Sequence, residues 1–192
     1  MILLKNEKSA IFNHLDFTSI LREIIKTSLI FEEFRIILKP HPRQDLALLH
    51  RTVGEFKSTR ISVSNKPSFN LISKAHIIVA MPSGVIIDAL IAGKPVIEYF
   101  HFNELERALL SAFKSIPKNF LGGMSCLDSN GNATSVFRAK GLVAPADDPE
   151  SLEEWISKFR DNAEWEGTAK IRDIFPSIPM EKAADTIMAF AG

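Results

Sequence analysis

The sequence holds a single cysteine, Cys126, in 192 residues. One thiol excludes an intrachain disulfide framework, fits a reducing compartment and cannot build a thiolate zinc site. Neither sign of charge is in excess, with 23 lysines and arginines against 23 aspartates and glutamates. No whole-protein field draws a polyanion, so nucleic acid is not an expected partner. Long hydrophobic runs are also missing. Met1-Ile2-Leu3-Leu4 is followed at once by Lys5, which is too short for a signal-peptide core. No apolar run approaches the roughly 20 residues needed to span a bilayer. A cytoplasmic location is expected, with peripheral contact at the inner face of a membrane left open.

Several signatures of chemistry are absent as well. There is no glycine-x-glycine-x-x-glycine fingerprint, which removes the support for a dehydrogenase. Gly93-Lys94 is followed by Pro95, where a phosphate-binding loop requires serine or threonine. Ser83 has Met81 two residues before it, so it is not in the glycine-x-serine-x-glycine setting of a nucleophile elbow. His14, His50, His76 and His101 show no metal-ligand spacing, and no metal site is expected. No internal repeat or low-complexity stretch occurs. A hydrophobic fraction of 46% with 24% charged residues is that of a globular protein. At this length one domain is expected, residues 1–192.

What is present is an alternation of short β-branched runs with longer amphipathic stretches. Strands are expected at Ile2-Leu3-Leu4, Phe34–Lys39, Arg60–Ser64, His76–Ala80, Pro95–Phe100 and Leu142-Val143-Ala144. Helices are expected from an Asp16 cap to about Ile30, over Leu46–Phe56, about Ser68–Lys74, Val85–Ala92 closed by Gly93, Asn103–Phe113, and from Asp148-Pro149 through Lys158. Lys118 to Lys140, rich in glycine, asparagine and serine, reads as the one loop zone. The tail from Ala163 reads as helical segments broken at Pro176 and Pro179, which extends the C-terminal helices over about residues 149–190. Trp155 and Trp165 read as packing residues of those helices. Strands alternating with helices imply an α/β fold, a Rossmann-like doubly wound parallel sheet of about five or six strands with helices on both faces.

Three stretches stand out. Met81-Pro82-Ser83-Gly84 joins a strand to a helix, at the carboxyl edge where parallel sheets bind ligands. Unpaired N–H groups at a helix start suit a phosphate; Ser83 adds a hydroxyl, and Gly84 lets an anion approach the backbone. The plain alternative is that Ser83 caps the helix. Lys39-Pro40-His41-Pro42-Arg43 follows another strand and falls on the same edge. His41 can donate to a phosphate or a sugar hydroxyl while Lys39 or Arg43 neutralises charge; otherwise this is a rigid, solvated turn. Asp88 interrupts an apolar helix and must be paired, hydrogen-bonded or facing a cleft. It could reach a ribose or sugar hydroxyl, or form an internal salt bridge. Glu98, at the end of the next strand, is a weaker candidate on the same edge.

On Lys39–Arg43, on Ile77 to Ala92 around Pro82-Ser83-Gly84, and on Gly93-Lys94-Pro95-Val96-Ile97, the chain resembles the C-terminal, donor-binding domain of GT-B-fold glycosyltransferases of bacterial surface and capsule polysaccharide synthesis. Bacterial sialyltransferases and CDP-glycerol glycerophosphotransferases are similar here. The resemblance implies a nucleotide-sugar donor, CMP-, CDP- or UDP-linked, with no cofactor and no essential metal. It implies that His41 contacts the donor phosphate, Ser83 and Gly84 the phosphates, and Asp88 the ribose. The chain departs from the pattern at Pro82, where many relatives carry a second serine or threonine, and at Asp88, where glutamate is frequent. A GT-B enzyme also needs two domains. A second, N-terminal acceptor domain or a partner subunit is therefore expected to be required for transfer, and no catalytic base is named. A nucleotide-sugar 2-epimerase and a non-catalytic nucleotide-binding subunit remain as alternatives.

Overall fold

The computed structural model describes residues 1–113, 125–162 and 164–174. In chain order the strands are β1 (Ile2–Leu3), β2 (Ile36–Lys39), β3 (Ile61–Val63), β4 (Ile78–Ala80), β5 (Val96–Tyr99), β6 (Ser125–Leu127), β7 (Ala133–Ser135) and β8 (Ala144–Ala146). The helices are α1 (Phe17–Ile30), α2 (Leu46–Gly54), α3 (Ser68–Ile72), α4 (Val85–Ile91), α5 (Phe102–Ala112), α6 (Val136–Ala139), α7 (Pro149–Asp161) and α8 (Glu166–Ile174). The sequence-predicted α/β architecture is what forms. Six strands make one sheet in the order β3-β2-β1-β4-β5-β8, and every neighbouring pair is parallel.

Local chemistry sets the element ends. Asp16 caps α1 by accepting from the Thr18 N–H at 2.8 Å, and Asp45 caps α2 through the Leu48 N–H at 3.0 Å. Asp148 and Ser151 form a reciprocal capping box, with Pro149 at the first turn of α7. The carboxyl end of α1 is closed from a distance. The Arg60 guanidinium donates to the Leu29 carbonyl at 2.7 Å and to that of Phe31 at 2.8 Å. Gly93 follows α4 with φ +71°, a left-handed conformation that turns the chain into β5.

Alternation along the strands builds the two layers. Ile2, Leu38, Val79, Ile97 and Tyr99 face the layer that holds α1 and α7, with Leu21, Ile24, Leu152 and Ile156 at its centre. Leu3, Ile78, Ala80 and Val96 face the opposite layer, against Ile72, Ile86, Leu90 and Ile171 of α3, α4 and α8. Each such side chain, when fully buried, contributes on the order of 1.5–3 kcal/mol. Trp155 and Trp165 meet edge to face at 5.4 Å, and their indole N–H groups donate to the Pro145 and Leu142 carbonyls. They are packing residues, as expected.

The region read as a loop differs. Residues 125–135 form an antiparallel hairpin, β6-β7, and α6 follows directly. The Asp128 carboxylate accepts from the Asn130 and Asn132 N–H groups, and Gly131 takes φ +84°. The asparagine and glycine content is thus a tight turn joining two strands rather than a long loop. Residues 118–124 of that zone lie outside the described residues, as do residue 163 and the segment carrying Pro176 and Pro179. No helix among the described residues is long and apolar enough to cross a membrane.

Candidate functional site

In the strand order 3-2-1-4-5-8 the chain runs outward from β1 through β2 to β3, then returns to place β4 on the other side of β1. Helices leave in opposite directions on the two sides of that point. A crevice therefore opens beyond the carboxyl ends of β1 and β4, where open α/β sheets bind their ligands. Here the crevice is a cleft of about 280 Å³, lined by Leu3 and Leu4 after β1, by Lys39, Pro40, His41 and Pro42 after β2, by Ser68, and by Ser83, Gly84 and Val85 after β4. Two turns that sequence reasoning singled out separately thus share one cleft, on either side of β1.

Among the described residues each turn presents an uncommitted polar group. The His41 Nδ1 accepts the Arg43 backbone N–H at 3.1 Å. That bond assigns the proton of the neutral ring to Nε2, which becomes a donor. Burial first, then the positive charges of Arg43, Lys5 and Lys39, hold the His41 pKa below the ordinary imidazole value, while Glu7 opposes them. Across the cleft the Ser83 hydroxyl is buried and has no hydrogen-bond partner among the described residues. It is not the helix cap considered from the sequence: Gly84 occupies that position, and no side chain caps α4. A buried hydroxyl without a partner costs about 1–3 kcal/mol unless something else satisfies it. Since α4 has only seven residues, its dipole adds little to the site.

Two of the sequence candidates stand away from this cleft. Arg43 is exposed and not among the lining residues, and its backbone N–H rather than its guanidinium touches His41. Asp88 is exposed on α4 and also does not line the cleft. The internal salt bridge considered for it does not form among the described residues. Surrounding protein still raises its carboxyl pKa.

Glu98 was expected as a weak candidate on this edge, but it is fully buried. Its Oε2 accepts the Ser135 hydroxyl at 2.6 Å and Nε of Arg138 at 2.9 Å. Burial raises its pKa, and Arg138 and Ser135 pull in the other direction. The Arg138 guanidinium also donates to the Glu98 and Ala146 carbonyls and to Asp147, so it ties the ends of β5 and β8 together.

A larger cleft of about 650 Å³ lies between α5, the β6-β7 hairpin and β8, and includes Arg107, Arg138 and Asp147. Its most buried cation, Arg138, is already committed to protein acceptors, and the cleft lies away from the switch point. The smaller cleft is the better site on physical grounds. Lys5 was missed by sequence reasoning, although its position directly after the first strand was the available signal. Its ammonium donates to the Pro82 carbonyl at 2.7 Å. Among the described residues no group of three or more histidines, cysteines, aspartates and glutamates could hold a metal ion. Comparison with protein-family models, curated proteins and solved structures gave no match.

Proposed function

We propose that the switch-point cleft binds the phosphate groups of a nucleotide-activated sugar, and that the chain is the donor-binding domain of a GT-B-type glycosyltransferase of bacterial surface polysaccharide synthesis. The observation that carries this reading is the juxtaposition in one cleft of the His41 turn and the unpartnered Ser83 hydroxyl. The Nε2–H of His41 and the hydroxyl of Ser83 are donors suited to phosphate oxygens, and Lys39 supplies charge beside them. Arg43 adds charge from outside the cleft, and Asp88 is reserved for the sugar or ribose of an extended donor. No metal is needed for this arrangement, because the anion is met by donors and cations of the chain itself. Transfer further requires an acceptor and a base, which in this reading come from a second domain or a partner subunit at the cytoplasmic face of the membrane.

A panel of CMP-, CDP- and UDP-linked sugars and the free nucleotides, read by thermal shift, tests the proposal. At least one nucleotide is expected to raise the melting temperature, and His41→Ala and Ser83→Ala are each expected to reduce the shift. Failure of every nucleotide to stabilise the protein at millimolar concentration would remove the donor-site reading. Incubation with UDP-N-acetylglucosamine alone separates an epimerase, which needs no acceptor, from a transferase.

A further inference from the structure

Lys5 is not one of the residues lining the switch-point cleft, yet it bonds the turn that forms one of its sides. It follows β1, the strand between the two turns, and its ammonium reaches the Pro82 carbonyl, 77 positions away in sequence, at 2.7 Å. No other hydrogen bond of that ammonium occurs among the described residues, so two of its three N–H donors are uncommitted. The group is partly buried, and burial works against its charge; the Glu98 carboxylate works in its favour. Glu98 is itself fixed by Ser135 and Arg138 through its Oε2, while its Oε1 is buried with no hydrogen-bond partner among the described residues. Lys5 therefore bonds the carbonyl of the turn that carries Ser83 while its charge is favoured by an anchored anion on β5.

The same ammonium acts on the other turn. His41 feels the positive charges of Arg43, Lys5 and Lys39 and the negative charge of Glu7. Of these, Lys39 bonds the neighbouring Pro40 carbonyl, Glu7 bonds the Gln44 amide and the Asp45 N–H, and Arg43 is exposed. Lys5 is the cation bonded to the turn across the cleft. A half-buried ammonium is costly, and a methionine of similar length would pack there without that cost. Its retention needs a reason, and the two turns supply one.

We infer that Lys5 is a positioning residue of this site, holding the Pro82-Ser83 turn against the His41 turn and placing a fixed positive charge near both, so that the site selects a phosphate ester or diphosphate over a neutral sugar. This rests on the reading of the cleft as a phosphate site.

The test uses the full chain with Lys5→Met, Lys5→Gln and Lys5→Arg. Glutamine removes the charge but keeps a donor for the Pro82 carbonyl, so it replaces methionine if that variant does not fold. The first measurement needs no ligand: NMR titration of the His41 ring. The neutral variants should move its midpoint upward, while arginine should leave it near the wild-type value. The second is calorimetric binding of inorganic pyrophosphate and of CMP, with free N-acetylglucosamine as the neutral comparison. The neutral variants should lose about tenfold or more in affinity for the phosphate probes, as expected when a nearby, partly buried positive charge and the turn it holds are both lost, and arginine should recover most of it. An unchanged His41 midpoint in the neutral variants, or unchanged phosphate affinity, overturns the inference. If wild type binds neither phosphate probe, the donor-site reading falls and phosphate selection with it, while the titration still decides whether Lys5 acts on His41.

Discussion

Arg138 places its Nε 2.9 Å from Oε2 of Glu98, with side-chain exposures of 8% and 0%. The pair joins α6 to the end of β5, and the same guanidinium holds the Ala146 carbonyl of β8. It is the contact that closes the β8 edge of the sheet around a buried charge.

Removing one partner of such a pair leaves an uncompensated charge in the interior. Arg138→Met is expected to destabilise the protein by about 3–5 kcal/mol in urea unfolding. Adding Glu98→Gln should return part of that loss, because the remaining group is then neutral. With Glu98→Gln measured alone as well, a double-variant loss equal to the sum of the two single losses would show that the residues are not coupled.

Ser83 offers a test in which stability and binding move apart. Its hydroxyl has no partner among the described residues, so Ser83→Ala should leave stability unchanged or raise it by up to about 1 kcal/mol. The nucleotide-induced thermal shift should fall in the same variant. A clear loss of stability would instead mean that the hydroxyl holds the turn.

His41 sets a pH dependence. Its pKa is lowered in the folded protein, so below the ordinary imidazole value of about 6.5 the unfolded chain binds the proton more readily. Stability should therefore decline as pH falls from that value toward the depressed folded one, and change no further below it. Above the ordinary imidazole value both states are neutral and His41 contributes no slope. Chemical unfolding of wild type and His41→Gln across this window measures the difference. Parallel curves would refute it. Protonation of Nδ1 also ends its acceptance of the Arg43 N–H, so nucleotide binding is expected to change over the same range.

Much of this architecture was legible because it is written in local pattern. The apolar spacing from Phe17 to Leu29 with Asp16 before it could form little else than a capped helix, and one forms. The β-branched run at Ile77–Val79 and the turn after Ala80 likewise marked a strand ending at the carboxyl edge of the sheet. The hairpin at 125–135 was read as loop because its strands are only three residues each, and its Asn-Gly turn dominated the composition. Glu98 looked available because its place at a strand end was visible, whereas Arg138 and Ser135, which consume it, lie 40 and 37 positions away.

The sequence by itself determined the class of fold and the two turns that meet in the cleft, since both follow from periodicity, caps and proline placement within a few residues. Tertiary structure decided which of the candidates belong together. The return of the chain to the far side of β1 brings His41 and Ser83 into one cleft, while Arg43 and Asp88 stay exposed outside it. It also revealed Lys5, whose ammonium bonds the turn after β4 and feels the charge of Glu98 on β5. Those relationships depend on strand order and on which charges share a low-dielectric space, and neither is a property of any short stretch of chain.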